Sequence, residues 1–282
     1  MRKKLLLNAL VLSTLLPAAS LYAEIALNFG VYTTDKPTTV VRTFKPALRA
    51  LSKDLTQRLN EPVNIRIQVA NSYEKGTADI AEGRVDMTRL GPVSYILVKE
   101  QTPEIDILAI ESKKGKKRFN GVICVHKESA VQRVEDLRGL RFAFGNEQST
   151  IGRYLSQKYL NDHGIKAADL AGFDYLGRHD KVGHAVGSMQ YHAGALKEST
   201  FKKLVKKNVP IRALATFPNV TKPWVARAGL DERIKAALRE SLLAMDDPEA
   251  FKALGKDGFV MGDDDDYAII RSAMSDNSLF FE

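Results

Sequence analysis

Short apolar strand patterns alternate with amphipathic helical patterns along nearly the whole chain, and this alternation limits the possible folds more than any other feature. Val63, Ile65, Ile67 and Val69 recur at every second residue, as side chains on one face of a strand do. Phe44, Leu48, Leu51, Leu55 and Leu59 recur at helical spacing and predict a helix over 44–59. Further strand patterns occupy 24–31, 85–87 and 105–110. Between them, Ser72 caps a helix that closes at Gly83, and the turn Leu90-Gly91-Pro92 opens another carrying Tyr95, Ile96 and Val98. Such alternation predicts an α/β fold, with a mainly parallel sheet flanked by helices.

The basic run at 113–118 (KKGKKR) interrupts this series and reads as a solvated crossover. A second series follows, with strands at 122–125, 141–144, 173–176, 193–196 and 211–215. Its helices lie at 134–138 and begin again at Thr150, His179 and Thr200. The stretch 217–223 (FPNVTKP) reads as a second crossover, before a strand at 224–227 and helices at 231–245, 248–254 and 267–274. Two crossovers predict two lobes: 24–116 with 217–282 form the first, and 117–216 are inserted as the second. A chain of 282 residues, 44% hydrophobic, can bury two such cores. Ligands of open α/β sheets sit beyond the carboxyl ends of the strands, so the cleft between the lobes is the expected site.

Arg2, Lys3 and Lys4 precede a mostly apolar stretch at 5–17, and small residues follow as far as Ala23. This three-part pattern predicts a cleaved export signal over 1–23, with cleavage after Ser20 as a variant, and a periplasmic location. An uncleaved anchor is the competing reading, although the apolar run is short for a membrane span. No cysteine lies nearby for a lipid anchor. Losing the three basic residues takes the net charge from +8 to +5, which suits an anionic ligand but gives no argument for nucleic acid. Cys124 is the single cysteine, so no internal disulfide can form, and its apolar strand context (121–125) predicts a buried small hydrophobe.

The stretch 141–160 (RFAFGNEQSTIGRYLSQKYL) carries the chemistry. A strand runs into Gly145, and after a polar loop Ser149-Thr150-Ile151-Gly152 stand where a helix begins. Hydroxyls beside unpaired helix N–H groups can be an ordinary N-cap. They can equally cradle a small oxyanion, because the donors and the helix dipole both favour negative charge.

The order of several short motifs resembles the phosphonate-binding periplasmic proteins of ABC importers, within the two-lobed substrate-binding superfamily. They are 70–73 (ANSY), 85–87 (VDM) with 91–95 (GPVSY), 118–125 (RFNGVICV) with 127–129 (KES), 136–139 (DLRG), 142–145 (FAFG), 149–152 (STIG), His179 and 193–195 (AGA). The resemblance extends from Asn28 to about Met274. It implies that Tyr73 of the first lobe, Ser149 and Thr150 of the second, the backbone at Ile151 and Gly152, and His179 hold the oxyanion. No cofactor or metal is implied, and the protein is expected to be a monomeric carrier, not an enzyme. Its partner would be an ABC permease, or alternatively a membrane sensor kinase.

Departures from the family pattern bear on the ligand. A second family tyrosine corresponds to Phe119, and a second family serine to Ile151. An acid of the second crossover, which would meet an amine, corresponds to Lys222; the other falls near Glu198 and Ser199; and an Asp before the AGA strand corresponds to His192. Together with Arg89, Lys222 implies a more anionic ligand or one without an amine. Other chemistry is thinly supported. His179, His184 and His192 match no metal-ligand spacing, and the run Asp263 to Asp266 lacks the glycine and periodicity of a calcium loop. Ser149, His179 and Asp180 could be drawn as a hydrolytic triad, but no Gly-x-Ser-x-Gly elbow surrounds Ser149. Thr33 is a positional candidate for ligand contact.

Overall fold

The computed structural model describes residues 24–32 and 37–282, so the export signal and Thr33 lie outside the described residues. The first series runs β1 (Ile25–Tyr32), α1 (Pro37–Leu59), β2 (Val63–Ala70), α2 (Tyr73–Ala81), β3 (Met87–Arg89), α3 (Pro92–Gln101) and β4 (Asp106–Ser112). The second runs β5 (Arg118–His126), β6 (Arg141–Phe144), α4 (Leu155–Asp162), β7 (Gly172–Tyr175), α5 (His179–Gly187), β8 (Ala193–Lys197), α6 (Glu198–Lys206) and β9 (Ile211–Val220). The chain returns through β10 (Pro223–Ala226), α7 (Glu232–Leu243), α8 (Pro248–Leu254), β11 (Gly258–Val260) and α9 (Ala268–Ser275).

These strands form two sheets, in the orders β11-β4-β10-β3-β1-β2 and β7-β6-β8-β5-β9. Both are mixed. β1 pairs in parallel with β2 and β3, and β6 with β7 and β8. The strands that enter each sheet from a crossover, β5 and β10, run antiparallel to their neighbours. A strand arriving from the other sheet has no helix to return it to the starting edge, so it runs against its neighbours.

α1 starts earlier than its strongest periodicity suggests, because Val40 extends the buried stripe of Phe44, Leu48, Leu51, Leu55 and Leu59. Pro46 sits inside this helix, where it removes one backbone donor. β9 continues to Val220, so most of the stretch expected as a crossover is strand, and the link to β10 is only Thr221 and Lys222. The two links run side by side, with the Thr221 N–H donating to the Lys117 carbonyl at 2.9 Å.

Behind the first sheet, Phe29, Trp224 and Phe259 pack under α1 and α7; behind the second, Val122, Cys124 and Leu196 pack under α5 and α6. A third cluster spans both sheets, joining Tyr32, Val93 and Tyr95 to Ile151, Phe142 and Phe144. The C-terminal 3₁₀ turn Asp276–Phe280 reaches the second sheet, where Phe280 meets Phe144 edge-on at 5.8 Å. Among the described residues, no helix is long and apolar enough to cross a membrane.

Candidate functional site

One topological rule collects the functional side chains. Tyr73 follows β2, Arg89 ends β3, Ser149 and Thr150 follow β6, His179 follows β7, Lys197 ends β8, and Lys222 follows β9. Each therefore projects from the carboxyl end of a strand, where the loops of an open sheet converge.

The parallel register of β1 and β2 brings Tyr32 opposite Ala70. Three residues later, the Tyr73 ring lies 4.4 Å from that of Tyr32. Ser72 caps α2 by accepting the Lys75 N–H at 3.1 Å, which fixes where Tyr73 leaves the helix. Tyr32 is itself held, donating to Ser94 Oγ at 2.7 Å and accepting the Gly91 N–H at 2.7 Å.

On the opposing side, Gly145 and Gly152 lie back to back, and the Gly145 N–H donates to the Gly152 carbonyl at 2.8 Å. A Cβ on Gly152 would fall 2.8 Å from the Gly145 Cα, so this approach requires glycine. Ser149 caps the turn, its Oγ accepting the Gly152 N–H at 3.0 Å. Thr150–Tyr154 then form a wide π-type turn before α4, a local form frequent at functional sites. Ser149 and Thr150 are buried.

The two sides meet through hydroxyls. Ser149 lies beside the Tyr73 phenol, both lining one chamber. Thr150 Oγ1 accepts the Val93 N–H, from the first turn of α3, at 3.1 Å. Burial pushes the Tyr73 phenol well above its ordinary value, so the group remains a proton donor. Tyr73, Ser149, Thr150, Ile151, Phe119, Asn219, Lys197 and Lys222 enclose a chamber of about 20 Å³, room for one water-sized group. Asn219 lies opposite Phe119 in the β5–β9 ladder, and its buried amide oxygen makes no hydrogen bond. An amide flip would turn its NH₂ toward the same place. Phe119 carries the Lys256 ammonium 5.6 Å from its ring centre.

Beside this inner chamber lies an outer one of about 140 Å³, sharing Tyr73, Lys197 and Lys222 with it and bounded further by Thr39, Thr43 and Arg89. Arg89 is committed to Glu111, its Nε at 2.5 Å and its Nη2 at 2.9 Å from the two carboxylate oxygens, and it stacks over Phe44 at 5.5 Å. Burial alone would raise the Glu111 carboxyl, but Arg89, Lys256 and Lys222 together hold it at about 2. Lys222 is half-buried, and among the described residues no carboxylate lies within ion-pair distance of it. Burial, then Arg89 and Lys197, push its ammonium well below the ordinary lysine value.

The His179 Nδ1 is buried without a hydrogen-bond partner. Burial, then Lys197 and Lys222, push the imidazole well below its ordinary value, so it is neutral at neutral pH. Asp180 is bound by Arg178, whose Nε lies at 2.9 Å, so a Ser149–His179–Asp180 relay is not assembled. The Cys124 thiol is buried, which pushes it up to about 12. His192 accepts the Arg141 N–H at 3.1 Å, and His184 lines a surface groove with Tyr175. Among the described residues, no group of three or more His, Cys, Asp or Glu could hold a metal ion. Glu198 faces Lys202 at 2.5 Å on α6.

Sequence reasoning missed Lys197 and Asn219. Lys197 directly precedes the pair Glu198 and Ser199. Asn219 sat in the stretch read as crossover.

Residues 29–267 match the family described as ABC transporter, phosphonate, periplasmic substrate-binding protein. A probable ABC transporter phosphite binding protein, PhnD1 of Prochlorococcus marinus (strain MIT 9301), is 28% identical over 205 residues, covering 68% of this chain and 67% of that protein. The structure of PhnD1 in complex with methylphosphonate superposes with a TM-score of 0.75 at 22% identity, covering 89% of this chain and 97% of the other. A binding-protein component of an ABC phosphonate transporter from Pseudomonas aeruginosa (PA3383) gives 0.75 at 19% identity, over 91% and 87% of the two chains. These likenesses place both sheets in the two-lobed periplasmic binding-protein fold.

Proposed function

Since the chain belongs to the phosphonate family of periplasmic substrate-binding proteins of ABC transporters, we propose that it captures the oxyanion end of a phosphonate, phosphite or phosphate in the inner chamber. The observation that carries this reading is the convergence of Tyr73 from one sheet with Ser149 and Thr150 from the other. A tetrahedral oxyanion entering there would part the two sides and accept hydrogen bonds from the Tyr73, Ser149 and Thr150 hydroxyls, each charge-assisted. The helix N-terminus at Ile151 and Gly152 adds its dipole, and Lys197 and Lys222 supply charge. His179, neutral without an anion, gains basicity beside one and donates its N–H. Phe119 and Ile151 give the chamber apolar walls in place of hydroxyls.

The proposed lobes are 24–116 with 217–282, and the inserted 117–216, after removal of 1–23 in the periplasm. Ligand bridging them stabilises the closed form, which the permease recognises. The protein acts as a monomer and releases its ligand unchanged, consistent with the unassembled relay at His179.

The test is calorimetric titration of the exported form with methylphosphonate, phosphite, phosphate and sulfate. In the Ser149→Ala/Thr150→Ala variant two hydrogen bonds to a charged group disappear, each worth about 1.5–3 kcal/mol. Affinity should then fall by at least about 100-fold. Unchanged affinity in that variant would overturn the assignment.

A further inference from the structure

We propose that Asn277, in the C-terminal turn, is a positioning residue for the oxyanion cradle: it orients Arg153, whose guanidinium braces the loop and turn that present Ser149 and Thr150. This inference rests on the oxyanion reading of the inner chamber and names what holds its donors in place.

Three observations support it. First, one guanidinium spans the cradle. Arg153 lies in the wide turn after Thr150, and its Nη1 donates back to the Glu147 carbonyl, ahead of Ser149, at 3.1 Å. The turn is irregular and gains from such a brace: the Arg153 and Tyr154 N–H groups share the Ser149 carbonyl, at 3.0 and 3.4 Å. Second, Asn277 fixes that guanidinium within a polar network. Its Oδ1 accepts from Arg153 Nη2 at 3.1 Å, its Nδ2 donates to Gln157 Oε1 at 2.8 Å, and Gln157 Nε2 donates to the Tyr175 hydroxyl at 2.9 Å. Arginine has no acceptor, so both amide orientations follow from it in turn. The Arg153 Nε is buried without a partner, so the two Nη bonds set the orientation of the group, which lies over the Tyr154 ring at 4.8 Å. Asn277 and Gln157 are buried, where a lost partner is not replaced by bulk water. Third, the segment carrying Asn277 is anchored on both sides of it. Upstream, Tyr267 packs against Tyr95 of α3 at 5.0 Å and donates to the Thr221 carbonyl at 3.1 Å. Downstream, Phe280 packs against Phe144 and, at 6.1 Å, against Phe173. The chain therefore crosses from the first sheet to the second once more, beside the cradle, and brings a fixed amide to Arg153.

The experiment is a double-mutant cycle with Asn277→Ala and Arg153→Lys, the second keeping the charge but unable to hold Glu147 and Asn277 together. Methylphosphonate dissociation constants are measured by calorimetry at a temperature where each variant is folded, and the melting temperature of each is measured without ligand. Each single variant should weaken binding about tenfold, because the donors are no longer held in place before the ligand arrives. The double variant should bind no more weakly than the weaker single one, since both substitutions remove the same brace. A merely structural Asn277 would lower the melting temperature and leave the dissociation constant of the folded protein unchanged. That result, or effects that multiply in the double variant, would overturn the proposal while leaving the oxyanion site standing. If Asn277→Ala does not fold, Arg153→Lys decides alone: a tenfold loss supports the brace, and parental affinity overturns it. Failure of the unsubstituted protein to bind methylphosphonate, phosphite or phosphate would instead overturn the underlying oxyanion reading, and this inference with it.

Discussion

Replacing Glu111 by Gln tests how the cleft's positive charge is tolerated. Glu111 is fully buried at the end of β4, and its carboxylate holds Arg89 through two hydrogen bonds, Lys256 at 3.3 Å and the Trp224 indole N–H at 3.3 Å. Its backbone N–H also donates to the Lys222 carbonyl at 3.1 Å, so the same residue braces the link between the lobes. Glutamine keeps the shape but removes the carboxylate that Arg89 and Lys256 share beside Lys222.

The magnitude follows from linkage. The carboxyl falls from its ordinary 4.5 to about 2 in the folded protein. At about 1.4 kcal/mol per unit, that difference corresponds to roughly 3 kcal/mol of stability. Breaking one partner of a buried ion pair gives a similar figure, about 3–5 kcal/mol. The sign is that of a depressed acid: the stabilisation is fully present above pH 4.5 and is lost as pH falls towards 2. Thermal denaturation followed by circular dichroism should show E111Q melting about 6–10 °C lower at pH 7, at roughly 2 °C per kcal/mol for a chain of this size. The gap should close as both proteins are acidified from pH 5 to pH 2. Equal melting temperatures at pH 7, or a gap that persists at pH 2, would refute the reasoning. Methylphosphonate should raise the melting temperature of E111Q by more than that of the parent, because it supplies the negative charge the variant lacks.

Two further predictions concern the cradle itself. Below its ordinary value of 6.5 a histidine is protonated in the unfolded chain, whereas burial and the lysines keep His179 neutral in the folded one, so stability falls as pH drops below 6.5. The loss should be up to about 1.4 kcal/mol per pH unit in urea denaturation between pH 6.5 and 5, and His179→Asn should flatten that slope; an unchanged slope would count against it. Gly152→Ala sets a methyl 2.8 Å from the Gly145 Cα and 3.1 Å from its N, backbone atoms that cannot turn aside, and 3.0 Å from Ser149 Oγ. It should destabilise by about 1–3 kcal/mol in the same assay and weaken methylphosphonate binding at least tenfold by displacing Ser149 and Thr150; full affinity with parental stability would exclude the close approach.

Which of these features can be read in the chain depends on whether their causes are local. Tyr73, Ser149, Thr150 and His179 each lie just after a strand, beside a helix start, and both signals are written in neighbouring residues. The sequence order of strands and helices was legible for the same reason. Sheet direction was not, because the antiparallel entries of β5 and β10 follow from which edge each link reaches. Pro218 concealed half of β9: within a strand pattern it reads as a break, yet β9 is an edge strand, where the missing donor faces no partner. Asn219 was hidden with it. β11 has only three residues, too few to show a period. The wide turn over Thr150–Tyr154 has no local signal at all, being set by the contact of Gly145 with Gly152. The charge balance of the outer chamber is the least local feature, since Arg89, Glu111, Lys197, Lys222 and Lys256 come from five separate segments. Arg89 alone would suggest an anion-binding residue in sequence, but the fold gives its charge to Glu111, while Lys197 and Lys222 line the cleft. The far wall of the site is therefore decided by which cations the buried acid neutralises, and a family motif cannot carry that information.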